Sequence, residues 1–467
     1  MHIIGTQQRD CLRRGMMMLT LVLLGASCVH PHEPALQALV NDGLLATMQP
    51  FEGDAQEPAT PEGRLADYQT IALGNHPSLR AQFERFRHSV HLIAASRSLP
   101  EPKVTFGVFV DTMSALHGSE KARLKLEQEV PWFGSLNSAL AAAVANSEVE
   151  RRTLEAQAVH LRSRVGRSYW NLWEVRATRV LHDEHRNVLQ QVAEAARARV
   201  STGVTTLAEL QLIELEIVKI IDILDGMSEA ELRAEAQLAE TLGYPERRHF
   251  STIDEPGRPA LPKRDDEALR SLALKHPAVQ TLVALRGVAE AEVDGAHSRR
   301  YPSFVIGGEW MWMEHALGDE LMRDDAFMMA LGVRVPLWQG IYSERIHAAE
   351  AQLQAREADH QAMVHRVGLK VTEAHSKVRD AFRRVQVYQH TLVPQSEAVH
   401  ASVLGAYTVG RGSVAETLLA HRDLLELKVE LESARASFER AWLELEDVAG
   451  TRLEQQMPTQ RGVSNDG

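Results

Sequence analysis

The chain has 467 residues, enough for more than one ordinary domain, and its 51 Lys and Arg residues against 63 Asp and Glu residues give a formal net charge of −12. This acidic balance argues against a nucleic-acid-binding protein, because such proteins present a basic face to the phosphate backbone. Aromatic residues make up only 5% of the chain, and most segments are rich in Ala, Leu, Glu, Arg and Gln, a composition that favours long helices.

The N-terminal segment predicts export. Arginines in RDCLRRG precede the apolar run MMMLTLVLLGAS, and this order is typical of a signal peptide, here residues 1–27. The run is shorter than the roughly 20 residues that a membrane-spanning helix needs. Cys28 follows at the position where a bacterial lipoprotein precursor is cut, so we expect it to carry a lipid anchor; ordinary signal cleavage nearby is the alternative. Residues 28–62, rich in Pro and acidic side chains, are interpreted as a tether.

Beyond residue 62 the same order of elements occurs twice. IALGNHPSLR at 71–80 returns as LALKHPAVQ at 272–280, in both cases within a predicted long helix. We interpret the shared histidines, His76 and His276, as packing or capping groups beside the proline, without a catalytic role. The predicted segments are a first repeat at 63–243, a linker at 244–263, a second repeat at 264–451 and a disordered tail at 452–467, with the opening helices over about 64–98 and 264–299.

Each opening helix ends at a Pro-bearing break, after which the hydrophobic period changes to two. Hairpins are predicted at 103–130 and 303–335. Along KARLKLEQEV, apolar and charged residues alternate, so one side of the strand is apolar and the other is charged. The second hairpin follows the same rule, with Trp310 and Trp312 on the side opposite Glu309.

Both hairpins are followed by a Val-Pro step, a Trp and a Gly before the next helical pattern begins. We expect this junction to turn each strand directly into a helix, and its Trp side chains to lie at a lipid–water interface, as aromatic residues do in outer-membrane barrels. The junction residues are Pro131, Trp132, Gly134, Pro336, Trp338 and Gly340.

The longest predicted helices come next, over about 135–201 and 341–408, and Pro394 is the only proline in either segment. At 1.5 Å per residue, each helix is roughly 100 Å long, a length that suits antiparallel coiled-coil packing better than a compact domain. Each ends in a turn rich in Gly, Ser and Thr. Such a turn supplies a helix stop and an N-cap for a return helix.

The four predicted strands match the pattern of outer-membrane barrel strands, and about ten tilted residues suffice to cross a bilayer. Four strands cannot close a barrel, and an open edge in lipid costs several kcal/mol for each unsatisfied backbone group. We therefore expect several chains to pool their hairpins. Two chains would give eight strands and three would give twelve, enough for a lumen, and the strand pattern does not choose between them.

The duplicated helix starts at His76 and His276, the Val-Pro hairpin exits and the paired glycine turns at Gly203 and Gly410 resemble, in this order, the TolC family of outer-membrane efflux proteins. The resemblance covers about residues 63–450. It implies a mostly α fold with a β-barrel contribution, in which each protomer adds long helices to an α-helical barrel and four transmembrane β-strands to a twelve-stranded barrel of a homotrimer. It further implies a periplasmic adaptor protein and an inner-membrane efflux pump as partners. Within the family, QEVPWFG and SALAAAVANSEVE are more similar to the outer-membrane members of heavy-metal cation efflux systems of the resistance-nodulation-division type.

The resemblance also implies roles for the glycine turns. They would form the periplasmic tip that contacts the adaptor, and Glu416 would narrow the tube as an acidic ring, whose next acidic position is Leu419 here. Glu209 is the corresponding gate candidate in the first repeat. Turn chemistry alone is the alternative explanation for these Gly, Ser and Thr residues. The expected docking residues are Thr202, Gly203, Val204, Thr205, Val409, Gly410, Arg411 and Gly412.

Sulfur and imidazole side chains occur around the predicted hairpin tips. Met311, Met313 and His315 suit soft metal ions such as Cu(I) or Ag(I), although Met is also ordinary apolar filler, and we expect no bound metal or other cofactor. His182 and His185 have no third ligand at a useful spacing, so we expect both at the surface.

The sequence contains no phosphate-binding loop, zinc-protease helix, nucleophile elbow or Cys-x-x-Cys pair, so it indicates no enzyme, and the energy for transport must come from a partner. The expected function is a passive exit duct of a tripartite efflux system, in the outer membrane and extending into the periplasm, for heavy-metal cations or small toxic compounds. An exit duct for type I protein secretion is the alternative with the same fold. A periplasmic coiled-coil scaffold without a pore is the alternative of another class.

Overall fold

In the computed structural model of the chain, the described residues are 63–110, 119–201, 206–250, 253–314, 325–409 and 411–454. The predicted signal peptide, the tether with Cys28 and most of the C-terminal tail lie outside them. So do the predicted site residues Thr202, Gly203, Val204, Thr205, Gly410 and His315.

Helices make up most of the described residues, and both repeats contain them in the same order. The helices of the first repeat are α1 (Leu65–Asn75), α2 (Pro77–Ala95), α3 (Ser135–Ser201) and α4 (Leu207–Thr241). Those of the second are α5 (Asp266–Ala273), α6 (Pro277–Ser298), α7 (Gln339–Val387), a π-helix (Tyr388–Leu392), α8 (Val393–Thr408) and α9 (Val414–Ala449). The strands are β1 (Lys103–Val108), β2 (Ser119–Val130), β3 (Ser303–Glu314) and β4 (Ala326–Arg334). The predicted mostly helical fold with four strands per chain is confirmed.

The opening helix of each repeat is interrupted at the His-Pro dipeptide. There α1 gives way to α2, and α5 gives way to α6. His76 is extended, with ψ 120°, because the proline ring disfavours helical backbone in the residue before it. The prediction of one continuous helix over 64–98, and of another over 264–299, is therefore wrong.

The two histidines cap the helices that follow them, as predicted. Nδ1 of His76 accepts a hydrogen bond from the backbone N–H of Ser78, at 3.2 Å. Nδ1 of His276 accepts the equivalent bond from the backbone N–H of Ala278, at 3.0 Å. Each imidazole thus satisfies one of the backbone donors that a helix leaves free at its start.

A glycine at the end of each repeat packs against the histidine at its beginning. Gly243 has φ +84° and Gly450 has φ +73°, the left-handed conformation in which many helices end. A Cβ atom on Gly243 would lie 3.0 Å from Cα of His76, and one on Gly450 would lie 2.8 Å from Cδ2 of His276. Both positions therefore require glycine, for backbone conformation and for space.

The sequence predicts one continuous helix over 341–408. The structure differs, because a π-helix interrupts this helix just before Pro394. Proline has no N–H to donate to the carbonyl four residues earlier, that of His390, and its ring crowds the preceding turn. The backbone widens there into a π-turn. The corresponding helix of the first repeat, α3, has no proline and is unbroken, as predicted.

The four strands form one antiparallel sheet in the order β1-β2-β3-β4. The hairpins of the two repeats join through β2 and β3, whose register runs from Ser119↔Glu314 to Val130↔Phe304, with an irregularity between Glu120 and Ala122. Residues about 180 positions apart in the chain are thereby placed side by side in one surface.

The chain forms two compact units, and each contains segments of both repeats. The described residues of the first unit, which contains the sheet, are 84–110, 119–151, 281–314 and 325–360; all other described residues belong to the second, helical unit. The helical unit has a core in which α5, α7 and α9 contribute buried side chains such as Leu269, Val378 and Phe438. Among the described residues, no helix has the length and apolarity needed to cross a bilayer.

Candidate functional site

One face of the sheet is apolar across all four strands. Phe106 of β1 lies opposite Leu124 of β2, and Leu124 lies opposite Trp310 of β3. Trp310 in turn lies opposite Phe327 of β4. Directly opposed residues in antiparallel strands point to the same side of the sheet, so these four form a continuous row. Phe106 and Phe327, at its two ends, are 63% and 62% exposed in the single chain.

The other face of the sheet carries the charges, and they are paired. Glu309 of β3 is only 7% exposed, and its carboxylate lies 3.3 Å from the guanidinium of Arg123. Lys125 contacts Glu127 at 2.8 Å. The predicted alternation is thus confirmed, with an apolar side opposite a side on which charged groups neutralise one another.

The sheet has two edges that no other described strand covers. β1 pairs only with β2, and β4 pairs only with β3, among the described strands. Each outer strand therefore presents a row of backbone N–H and C=O groups to a further strand. In hydrocarbon these groups must be paired, since each unsatisfied one costs several kcal/mol.

The two strand-to-helix junctions differ in packing. After β2, Trp132 stacks on Tyr301, with ring centroids 5.0 Å apart, and on Phe304, at 6.1 Å. After β4, Trp338 is 72% exposed. The first junction is thus fixed by aromatic contacts within the chain, whereas the second leaves its indole free for other surroundings. Pro131 and Pro336 are both half-buried at these turns.

The glycines of the two junctions provide a matched test of backbone strain. Gly134 has φ +100°, whereas Gly340 lies in the first turn of α7 with no non-neighbouring atom within 4 Å of a Cβ built on it. Gly134→Ala is expected to lower the free energy of unfolding by about 1–3 kcal/mol. Gly340→Ala is expected to leave it unchanged or to raise it by less than about 1 kcal/mol. Thermal unfolding of the purified protein measures both, and equal midpoints for the two variants would contradict the strain assigned to Gly134.

Both gate candidates take part in helix capping. The Glu209 carboxylate accepts a hydrogen bond from the backbone N–H of Thr206 at 3.0 Å, and the Thr206 hydroxyl accepts one from the backbone N–H of Glu209 at 3.3 Å. Glu416 and Ser413 form the same reciprocal pair, at 3.1 and 3.2 Å. The spacing of Ser or Thr three residues before Glu is the sequence signal of this arrangement, and it identifies the capping role that the gate prediction left out.

The described residues of the second tip turn include exposed and packed positions. Val409 is 69% exposed, and Arg411 is also exposed. Gly412 is half-buried, and a Cβ atom on it would lie 3.0 Å from the backbone nitrogen of Tyr407. The guanidinium of Arg199 lies over the ring of Tyr407, 5.1 Å from its centroid. The ends of α3 and α8 therefore contact each other next to this turn.

The sulfur-bearing candidates lie on the charged face of the sheet. Met311 pairs with Arg123 and Met313 with Glu120 across β2 and β3. Among the described residues, no group of three or more His, Cys, Asp or Glu side chains is arranged to hold a metal ion. His185 is 3% exposed, so its predicted surface position is wrong: it lies in a helix contact that its sequence neighbours do not reveal.

The chain matches one protein family by sequence and several solved structures by fold. The family described as outer membrane efflux protein matches residues 70–243 and 268–451. No curated protein matches the chain by sequence. Among solved structures, the outer membrane protein VceC from Vibrio cholerae is 18% identical, with a TM-score of 0.69 over 84% of this chain and 97% of that one. The outer-membrane channel OprN is 16% identical, with a TM-score of 0.71 over 86% and 95% of the two chains. The open-state MtrE outer membrane channel of Neisseria gonorrhoeae is 15% identical, with a TM-score of 0.68 over 86% and 94%.

Proposed function

Because the chain belongs to the outer membrane efflux protein family, we propose that it is the outer-membrane channel of a tripartite efflux system. In this role it is a passive exit duct for solutes that a partner pump delivers. The observation that carries the proposal is the sheet, which combines an exposed apolar face, a charged face and two open edges. Such a sheet suits a wall between lipid and water once further strands cover its edges.

The open edges support a homotrimer. A third chain raises the strand number from eight to twelve, and only the larger barrel leaves room for a lumen, because side chains fill the interior of an eight-stranded one. The apolar face would contact outer-membrane lipid, and the paired charges of the opposite face would line the water-filled interior. A lipid on Cys28 would add a second attachment to the same membrane.

The tip turns are the proposed docking surface for a periplasmic adaptor, which in turn serves an inner-membrane pump. This assignment comprises Thr202 to Thr205 and 409–412, and the exposure of Val409 and Arg411 supports it for the described part. A helix end suits docking, because its backbone groups without intrahelical partners can bind another protein together with the side chains.

Heavy-metal cations or small toxic compounds are the proposed solutes. The thioether side chains of Met311, Met313 and Met328 share the charged face with Glu309, and thioether sulfur is a ligand for soft cations. Export of an unfolded polypeptide by type I secretion is the alternative function of the same duct.

Reconstitution into planar lipid bilayers tests the duct itself. The purified chain should form trimers in detergent and give stepwise conductance after reconstitution. A water-soluble monomer without conductance would instead favour the periplasmic scaffold. Deletion in the native host distinguishes the solutes: sensitivity to metal salts supports cation efflux, whereas loss of a secreted protein supports type I secretion.

The substitution Glu416→Gln distinguishes the proposed role of Glu416 in the gate from its role in helix capping. A glutamine at this position can still accept the hydrogen bond from the Ser413 backbone N–H, so thermal stability should not change. The negative ring is lost, so the preference of the channel for cations over anions, measured as a reversal potential in a salt gradient, should fall. Glu209→Gln is the matched control with the same capping geometry, and a smaller change is expected for it.

Glu416→Ala completes this series. It removes the charge and also the hydrogen bond that the Glu416 carboxylate accepts from the Ser413 backbone N–H, while the Ser413 hydroxyl still caps the helix. An expected loss of about 1 kcal/mol in unfolding free energy accompanies the loss of cation preference. Unchanged ion preference in Glu416→Gln would remove the gate assignment and leave Glu416 as a capping residue.

A further inference from the structure

In the helical unit, one imidazole ring contacts two others, and the three rings come from three different helices. The ring of His421, in α9, lies 4.5 Å from that of His185, in α3, measured between centroids. It lies 4.9 Å from the ring of His400, in α8. His185 is almost completely buried, and the other two are half-buried. These three residues, here called the histidine cluster, join segments of both repeats.

The nitrogens of two of the three rings are buried without hydrogen bonds to compensate the loss of water. Neither ring nitrogen of His185 or of His421 has a hydrogen-bond partner. The described residues also contain no group of three or more potential ligands arranged around a common metal position. Neutral imidazoles tolerate such contact, since they can pack as flat, weakly polar rings. Two protonated imidazoles at this separation would repel each other in a poorly solvated contact.

Of the charged groups that face the histidine cluster, only Glu216 favours a positive charge on a ring, that of His185, and it already has a lysine partner. Glu216 of α4, near His185, is paired with Lys219 at 3.1 Å. Lys428 of α9, near His421, is itself positive, and its partner Glu397 lies 3.0 Å away. His182 lies one turn before His185. Beside it, Arg186 is paired with Asp183 at 2.7 Å.

The pKa values of the rings agree with this geometry. Burial, the largest cause, and the neighbouring His185, His400 and Lys428 together lower the pKa of His421 to about 4. Burial also lowers the pKa of His185, although Glu216 opposes the shift. Burial alone lowers the pKa of His182. At neutral pH His185 and His421 are therefore uncharged.

The helix that carries His400 follows an irregular turn of the long helix. α8 begins directly after the π-helix at Tyr388–Leu392, where the hydrogen bonds change from the α-helical to the wider π-helical pattern, as the bond from the Val393 N–H to the Tyr388 carbonyl shows. Val393 is the only buried residue of α8. A helix with so few buried residues is of the kind that opens locally at low cost.

We infer that the histidine cluster is a proton-operated contact, which keeps α8 packed against α3 and α9 while the rings of His185 and His421 are neutral and releases α8, about the π-helix, when these two rings are protonated. The inference rests on the proposed function, because α8 leads into the turn at 409–412 that we assign to adaptor docking. Acidic surroundings would thus change the arrangement of the tip.

The direction of the pH dependence follows from the lowered pKa values. A released histidine has a pKa near 6.5, its ordinary value, whereas His421 in the packed arrangement has a pKa of about 4. The released state therefore binds more protons between these pH values, and packing weakens as the pH falls through this window. Each unit of difference in the pKa of a ring changes the opening equilibrium about tenfold.

Hydrogen–deuterium exchange of the full detergent-solubilised protein tests the inference without any variant. Between about pH 7.5 and about pH 5, and after correction for intrinsic exchange, peptides from α8 should lose about tenfold or more in protection. Peptides around Ala234 and Leu238, buried in α4, should not. A chelator is present throughout, so that stray metal cannot bridge the rings. Equal changes in both regions would overturn the inference.

His421→Phe, which keeps a flat ring but cannot bind a proton, should abolish the acid-induced loss of protection in α8. His365→Phe, at an exposed position of α7, is the matched control and should respond as the natural protein does. An unchanged response in His421→Phe overturns the inference. If His421→Phe does not assemble, His400→Phe is the substitute variant. It alters the same ring contact from α8, and the acid-induced loss of protection in α8 should again be abolished.

Conductance at neutral pH separates the two proposals. A channel that conducts but shows no pH-dependent exchange in α8 retains the proposed function and loses the proton-operated contact. A chain that shows the exchange response but conducts at no pH retains the contact and loses the proposed function.

Discussion

Met329→Arg is expected to prevent insertion of the protein into the outer membrane, whereas Met328→Arg is expected to be tolerated. The two methionines are neighbours in β4 but lie on opposite faces of the sheet. Met329 lies opposite Gly308 on the apolar face, and Met328 lies opposite Glu309 on the charged face. They are 67% and 45% exposed in the single chain, so neither substitution disturbs a packed core.

The difference between these variants comes from the solvent each face contacts. An arginine on the lipid face of a membrane strand costs about 2–4 kcal/mol near the bilayer midplane, and every subunit of an oligomer would bear this cost. An arginine at position 328 would instead lie in water beside the carboxylate of Glu309, with which it can pair. Since the two substitutions add the same side chain one residue apart, effects of size and of expression cancel.

Outer-membrane fractions and bilayer conductance measure the outcome. Met328→Arg should fractionate and conduct like the natural protein, with a shift towards anion permeation as positive charge enters the lumen. Met329→Arg should be lost from the outer membrane. If both variants insert equally well, the apolar face does not contact lipid, and the proposed function loses the observation that carries it.

Glu235→Leu is expected to destabilise the helical unit by about 2–3 kcal/mol, because the largely buried guanidinium of Arg176 loses one of its two carboxylate partners and keeps only Glu231, at 2.8 Å. Glu235 is 2% exposed. Its carboxylate oxygens lie 2.9 Å from Arg176 and 2.9 Å from Arg247, and 2.7 Å from Nδ1 of His249. Arg176 also donates to the backbone carbonyl of Phe250 at 2.6 Å. One carboxylate thus attaches the segment after α4 to α3 and α4.

Glu240→Leu is the matched control on the same helix. Glu240 pairs with Arg164 at 3.0 Å, but its side chain is 62% exposed, and an exposed ion pair contributes about 0–1 kcal/mol. Thermal unfolding of the detergent-solubilised protein should show a large fall in midpoint for Glu235→Leu and little change for Glu240→Leu. Similar midpoints would mean that water reaches Arg176 and Arg247 when Glu235 is removed.

Local sequence patterns were sufficient for the elements and for the faces of the strands. The alternation in KARLKLEQEV predicts the two faces of β2, and the proline-free run after Ser135 predicts α3 to its last residue. These features depend on residues close in the chain, whose periodicity and capping chemistry are visible in any one sequence. Two local effects of proline differ from the prediction, although the prolines themselves are evident in the sequence: the π-helix before Pro394 and the interruption of each opening helix at its His-Pro dipeptide.

The histidine cluster and the Glu235 network were beyond the reach of such patterns. His185 and His421 lie 236 positions apart, and no periodicity within either helix relates them. Likewise, Arg176 reads as an ordinary helix surface residue until α3 is seen to pack next to Glu235. Contacts of this kind depend on which helices become neighbours. The packing of buried side chains over the whole fold determines this, and no single segment does.

The sequence by itself determined the duplicated order of elements, the two-sided strands and the capping histidines at His76 and His276, because each follows from backbone sterics and hydrogen bonds within a few residues. The tertiary structure alone decided that the two hairpins join through β2 and β3, that Gly243 and Gly450 close their repeats against those histidines, and that the ring of His421 contacts those of His185 and His400. These depend on long-range packing, where shape and desolvation across the fold, rather than local propensity, select the contacts.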